Sequence, residues 1–237
     1  MFLLSPQSPA AASDERALQI ADRLMEALGG RESWERARFL HFTFLRQGRR
    51  IDITWDRYDG RYRLEATNEA GVPYVLVMNL LTRQGKVAVE GRPIEGAELS
   101  EYLNRALRIW AGETYWLLMP YKLRDPGVVV TYEGEESAGS VVYDKLHLRF
   151  EHVGFTPGDE FSIYVNRRSH LVDRWRFKLE SGVEGDFRWS GWARFGGILL
   201  ATERTGATGE TILFENIVVT DSLPDEVFTS LGRVSLP

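Results

Sequence analysis

The chain contains no cysteine. That excludes disulfides, thiolate metal sites, a cysteine nucleophile and an acylated N-terminal cysteine. It leaves the compartment open, because exported proteins also fold without disulfides. Histidine is scarce, limited to His41, His147, His152 and His170. None of them pairs at i, i+4 as a helical zinc site requires, and no cofactor is implied. His147 and His152 fall on opposite faces of any unbroken strand. There is no Walker loop and no G-x-S-x-G elbow. No run approaches the roughly 20 apolar residues of a membrane helix. Positive charge is not in excess either: the net charge is -5, which argues against nucleic acid as a partner. The basic clusters at 46–50 and 167–168 sit where turns are expected.

What is present is an ordinary apolar fraction of 43% over 237 residues, with 12% aromatics and seven tryptophans. This is enough for one sizeable core. Residues 1–12 carry a short apolar patch, prolines and an alanine run. They read as a disordered extension or as the remnant of a signal peptide with an A-x-A site. Residues 13–237 show no linker, repeat or low-complexity tract and read as a single domain.

Ser13 is placed to cap a helix over 14–28, whose Ala17, Ala21, Leu24 and Leu28 recur at helical spacing. Gly29 and Gly30 end it. The period then changes to two. In the run RIDITWDRYDGRYRLEA, Asp59-Gly60 is a hairpin turn pair. A two-residue loop sets Trp55 opposite Leu64, Asp56 opposite Arg63 and Ile53 opposite Ala66. A second helix is predicted over 96–113, with Leu99, Tyr102, Leu103, Ala106, Ile109 and Trp110 as its apolar stripe. After it, YWLLMPYKLRDPGV returns the chain to the sheet. Pro120 makes 119–122 an edge, bulge or loop entry. HLVDRWRFKLE alternates between a mostly apolar and a charged face, as an antiparallel strand with one wet side does. A last short helix is predicted over 225–231. The order is helix, about four strands, helix, about seven strands, short helix, which excludes a doubly wound α/β fold. The chain reads as mainly β with α: a single strongly curved antiparallel sheet of about 11 strands, whose apolar face the two helices cover.

Candidates for chemistry are few. Asp52, Thr54 and Asp56 share one face of the hairpin, and solvent pairing accounts for both carboxylates. Asp159 follows a Pro-Gly turn in TPGDEF and has backbone N–H groups within reach. Arg174 is placed to meet it or another carboxylate. The aromatic faces are either plain core or the lining of an apolar cavity. The cavity candidates are Phe42, Phe44, Ile53, Trp55, Leu64, Tyr74, Leu76 and Met78 on the early strands. The middle of the chain adds Tyr102, Ala106, Trp110, Trp116, Leu118 and Met119, and a late strand adds Trp175 and Phe177. Lys122, Arg124, Asp159 and Arg174 form its polar rim.

The helix ending in LGGRESW, the strands of ITWDRYDGRYRLE, the stretch LLMPYKLRDPG, the segments TPGDEFSIYVN and LVDRWRF, and the ending FENIVVTDSLPDEVF resemble the LolA/LolB-type lipoprotein-binding superfamily. The resemblance spans about residues 14–228. It implies an unclosed, half β-barrel whose helices act as a lid over an apolar cavity. It further implies a lipid or lipoprotein acyl chain as partner, an exported, periplasmic location and a role in outer-membrane biogenesis. With no cysteine to acylate, a soluble carrier is favoured over an anchored acceptor. An envelope sensor with a protein or membrane partner, and an enzyme using Asp159, Asp125, Arg174 or Lys122 on a small apolar substrate, remain the alternatives.

Overall fold

The computed structural model describes residues 13–151 and 158–236. The possible signal remnant at 1–12, His152 and the Thr156-Pro157 part of TPGDEF lie outside them.

Six strands precede the long helix: β1 (Phe39–Arg46), β2 (Arg49–Asp56), β3 (Arg61–Thr67), β4 (Pro73–Asn79), β5 (Gln84–Val89) and β6 (Arg92–Ile94). Seven follow it: β7 (Val128–Ala138), β8 (Val141–Phe150), β9 (Glu160–Asn166), β10 (Val172–Lys178), β11 (Glu184–Phe195), β12 (Ile198–Gly206) and β13 (Thr211–Thr220). All join one 13-stranded antiparallel sheet in the order β6-β5-β4-β3-β2-β1-β13-β12-β11-β10-β9-β8-β7. The expected count of about 11 is therefore too low. The three-residue β6 is an edge strand containing Pro93, too short to show a period.

The helices are α1 (Glu15–Ala27), α2 (Arg31–Arg36) and α3 (Gly96–Leu118). Asp14, not Ser13, caps α1: its carboxylate accepts from the Ala17 N–H at 2.7 Å. Ser13 instead accepts from the Val130 N–H of edge strand β7, and Asp14 also accepts from the Tyr132 N–H. Both residues therefore tie the start of α1 to the sheet edge. α3 runs five residues past its expected end, and a 3₁₀ turn, Met119–Tyr121, follows. Tyr115–Leu118 thus lie on the helix rather than on a strand. Nothing in YWLL breaks a helix, and Pro120 is tolerated at the start of the tighter turn. The last predicted helix is a 3₁₀ turn over Asp225–Phe228.

The β2–β3 hairpin differs by two residues from its expected register. Ile53 faces Leu64, Trp55 faces Tyr62, Thr54 faces Arg63, and Ile51 faces Ala66. A four-residue connection replaces the two-residue loop, because Asp56 organises it by accepting from the Tyr58 N–H. A shift of two preserves the side-chain faces, so Trp55, Ile53 and Leu64 still point the same way.

α1 and α3 cover that face. On a flat sheet β10 and β1 would stand about 19 Å apart. Yet Trp116 of α3 stacks on Trp175 of β10 at 4.6 Å while the Arg46 guanidinium of β1 lies 5.7 Å from the same ring. The sheet therefore curls around α3. At one point the curl depends on a missing side chain. Gly185 lies opposite Phe177, and a Cβ there would fall 2.1 Å from the ring. Gly185→Ala is expected to lower stability by about 1–3 kcal/mol through overpacking. Urea unfolding measures this, and an unchanged midpoint would mean that the Phe177 ring is free to move aside.

Candidate functional site

The expected cavity residues of the strands share the inner face, and those of α3 and the 3₁₀ turn after it pack towards them. Phe42, Phe44, Ile53, Leu64 and Leu76 are fully buried, and Tyr74, Met78, Ala106, Leu118 and Met119 nearly or fully so. Tyr74 meets Tyr102 at 4.9 Å, and Trp55 meets Trp110 at 5.4 Å. Trp116 touches Trp175, Phe177 and Phe187, while Tyr115 packs against Phe150, Phe161 and Trp175. The residues expected to line an apolar cavity are thus in contact with one another. Edge-to-face and stacked aromatic pairs each add about 0.5–1.5 kcal/mol beyond area burial.

Two pockets are open and polar instead. One, of about 560 Å³, lies on the outer face along the register row His147, Ser162, Arg176 and Asp186. The other, of about 360 Å³, lies beside α3 and is lined by Arg49, Glu69, Arg105, Arg108, Ile109 and Glu113.

The inner layer has one unusual property. The indole N–H groups of Trp55, Trp110, Trp175 and Trp189 and the hydroxyls of Tyr62 and Tyr115 are buried without a hydrogen-bond partner among the described residues. Buried polar groups are normally paired, and each orphan costs about 1–3 kcal/mol. Burial drives the Tyr62 and Tyr115 hydroxyls well above the ordinary tyrosine pKa, so both stay protonated.

The expected rim does not assemble. Lys122 pairs with Asp125 at 2.9 Å, and Arg124 makes a two-pronged pair with Asp22. Arg174 does not reach Asp159. It pairs with Asp186 at 2.7 and 2.5 Å, across neighbouring strands. Asp159 is buried and accepts from the Glu180 N–H, so it holds a turn. Of the groups named for the enzyme alternative, Lys122 and Asp125 pair with each other, while Arg174 is held by Asp186 and Asp159 accepts from the Glu180 N–H.

Asp56 is also not a solvent-paired surface acid. Its carboxylate is fully buried and receives Arg38 and Arg61, while Asp52 accepts from Thr43 and Arg50. Sequence reasoning missed two buried arginines. Arg63 donates to the carbonyls of Val227, Ser230 and Gly232, fastening the C-terminal segment over the outer face. Arg204, wholly buried on β12, donates to the carbonyls of Ala201, Glu203 and Trp116.

No family model matches the sequence, and no curated protein does. Solved structures do resemble it. A LolA superfamily protein from Nitrosomonas europaea superposes with a TM-score of 0.51 at 14% identity, over 90% of this chain and 97% of that one. The chain has a LolA-like fold. An outer-membrane lipoprotein-sorting protein domain from Vibrio parahaemolyticus aligns at TM-score 0.46 and 9% identity, over 90% and 96% of the two chains. A DUF1329 family protein from Desulfovibrio piger aligns at 0.44 and 12%, over 94% and 100%. Only the first likeness is close enough to argue from. In the LolA-like fold of this chain, the inner aromatic layer and α3 together form the candidate site.

Proposed function

We propose that this chain is an envelope carrier that takes a lipid or lipoprotein acyl chain between the inner face of its sheet and α3. The observation that carries the reading is the layer of unpaired indole and hydroxyl donors around Trp55, Trp110, Tyr115 and Trp175. A purely structural core would pair them or replace them with Phe and Leu. An acyl ligand offers both things the layer is suited to. Its chain replaces ring–ring contacts at little cost, and its ester or amide oxygens accept from the orphan donors. The LolA-like fold supports the same reading, as does the covering of a curled sheet by only two long helices.

Entry requires α3 to part from the sheet. Its end is anchored: the Tyr121 hydroxyl shares its one proton between the Leu28 and Leu199 carbonyls, at 2.9 and 2.8 Å, and accepts from the Leu199 N–H, and Trp34 stacks on Tyr121 at 4.4 Å. Six residues before the end of α3, Gly112 sits within the continuous helix with no atom near its Cβ position. Glycine within a helix costs roughly 0.5–1 kcal/mol relative to alanine, so it is the weak point at which the preceding turns swing out.

Native mass spectrometry of protein purified from membranes-containing extract, together with titration of intrinsic fluorescence by a single-chain acyl probe, tests the reading. Co-purifying lipid and a saturable change in tryptophan emission are expected. Neither appearing would sink it. Gly112→Ala is expected to slow the emission change severalfold without abolishing it, which stopped-flow mixing measures.

A further inference from the structure

Arg204 is a wholly buried guanidinium for which no carboxylate partner exists among the described residues. Among the described residues its charge is met by three carbonyls and by the rings of Trp189 at 3.5 Å and Phe214 at 5.1 Å. Its Nε is buried with no partner among the described residues. Burial alone pushes its pKa well below the ordinary arginine value, with no neighbouring charge offsetting it. A buried charge without a counter-ion is expensive, so this position calls for an anion.

It does not stand alone on the sheet. In register, Arg49 faces Arg46, Arg46 faces Ile212, and Ile212 faces Arg204, with Trp189 beyond. Facing residues share one side of a sheet, so three arginines lie in one row on the inner face beneath the last turns of α3. Their exposure falls inward: Arg49 is 46% exposed, Arg46 36% and Arg204 0%. The outer end opens into the pocket of about 360 Å³, where Arg105 and Arg108 add two more guanidinium groups against Glu69 and Glu113. Glu113 pairs with Arg49 at 3.0 Å, and Glu210 lies 3.9 Å from Arg46. Arg204, at the inner end, is the member with no acid.

We propose that this row is the head-group site of an anionic amphiphile, whose phosphate or carboxylate passes Arg49 and Arg46 and is held by Arg204. The inference rests on the carrier reading above, and it specifies the ligand class. In this structure the Arg204 Nη2 donates to the Trp116 carbonyl at 2.7 Å, one of the last carbonyls of α3. A helix end carries partial negative charge, so it serves as a weak stand-in for the anion. An oxyanion arriving at Nε and Nη2 takes two charge-assisted bonds, one to the partnerless Nε and one in place of the bond to the Trp116 carbonyl. The acyl chain then lies along Trp116 and Trp175, next to the row.

Calorimetric titration with dodecyl phosphate, dodecanol and inorganic phosphate tests this, each amphiphile kept below its aggregation concentration. Wild-type protein is expected to bind dodecyl phosphate about 10- to 100-fold more tightly than dodecanol, the effect of one charged hydrogen-bonding group. Inorganic phosphate should bind far more weakly than either. Arg204→Met should bring the affinities for the two amphiphiles to within about threefold of each other. Where R204M does not fold, the double variant Arg46→Gln with Arg49→Gln, at exposed positions, should reduce the preference severalfold. Equal wild-type affinity for dodecyl phosphate and dodecanol overturns the head-group site while leaving the carrier reading intact. If neither amphiphile binds, the carrier reading fails and takes this inference with it. Inorganic phosphate binding as tightly as dodecyl phosphate would overturn the amphiphile, leaving a site for free anions. An undiminished preference in R204M, or in the double variant, would overturn the assignment of these arginines.

Discussion

Asp56→Ala is expected to lower stability at neutral pH by about 2–4 kcal/mol, a large fraction of what holds a domain of this size together. The Asp56 carboxylate is buried at the end of β2 and collects the Arg38 Nε and Nη2 and the Arg61 Nε and Nη2 at 2.7–3.1 Å. It also accepts from the Tyr58 N–H. Arg38 goes on to Asp59 and Arg61 to Asp225, so a single carboxylate connects the β2–β3 loop with the C-terminal 3₁₀ turn. Removing it leaves two guanidinium groups without the buried acid they share, each held only by its outer partner, Asp59 or Asp225. The full penalty for breaking a buried pair is about 3–5 kcal/mol. The lower figure reflects that Arg38 and Arg61 are 30% and 27% exposed, so water recovers part of the loss.

The same site sets a pH dependence. Burial by itself raises the Asp56 pKa, but the hydrogen bonds from Arg38, from Arg61 and from the loop N–H groups outweigh it and hold it below the ordinary carboxylate value. Its folded pKa is depressed. Its stabilisation is therefore complete above the unfolded pKa of about 3.9 and is lost as pH falls through the folded value. Urea denaturation of wild type and Asp56→Asn should show a gap at about pH 7 that narrows steadily below about pH 4. A gap independent of pH would mean that Asp56 acts through packing and not through its charge.

Asp56 also shows where sequence reasoning succeeds and where it stops. Alternation in RIDITWD and RYRLEA was enough to assign each side chain to a face, because a period of two survives even a two-residue register error. It could not tell a wet charged face from one covered by another segment. Arg63, Asp56 and Thr54 are buried because the segment after β13 folds back over them, with Val227 and Phe228 packing on Phe39. That contact links positions more than 160 residues apart, and no local pattern encodes it. The length of α3 was misjudged for a different reason. Aromatic residues suit helix and strand alike in a short run, so YWLL reads as a return to the sheet, and Pro120 reads as an edge or loop entry although it lies inside the 3₁₀ turn. The apolar half of the candidate site was legible from periodicity, since the strand residues Phe42, Phe44, Ile53, Trp55, Leu64, Tyr74, Leu76, Met78, Trp175 and Phe177 share the inner face, where Trp55, Tyr74, Trp175 and Phe177 meet residues of α3. Its charged half was not. Arg204 follows Ile198 and Leu200 at even spacing, which places it on the buried face. Lying between Glu203 and Thr205, it reads as one member of a polar run. Strict alternation was the signal that would have found it. Lys122 and Arg124 were favoured instead because they adjoin an apolar stretch, and their pairing with Asp125 and Asp22 depends on tertiary contacts.

Trp175→Ala is expected to be the most damaging single change in the inner layer, at about 3–5 kcal/mol. Trp175 is 2% exposed and its ring meets those of Tyr115, Trp116, Phe161, Phe177 and Trp189. Truncation removes one side of five ring contacts and leaves a hole of about 100 Å³ or more, charged at about 24 cal/mol per Å³. What separates a carrier from a plain core is the response to ligand. In a plain core the loss is permanent. If an acyl chain occupies this layer, the hole lies in its path and the chain fills it. A ligand at about 100 times its dissociation constant adds about 2.7 kcal/mol of apparent stability. The chain meets no Trp175 ring to displace in the variant, so its stabilisation should be larger there than in wild type. Thermal unfolding with and without dodecyl phosphate measures both shifts. A midpoint that rises in wild type and rises further in the variant places the acyl chain in the aromatic layer. A rise in wild type with none in Trp175→Ala would still place the ligand at Trp175 but would show that the ring holds the chain instead of yielding to it. A rise of equal size in both proteins would locate the ligand elsewhere and return the Trp116–Trp175 stack to the role of core.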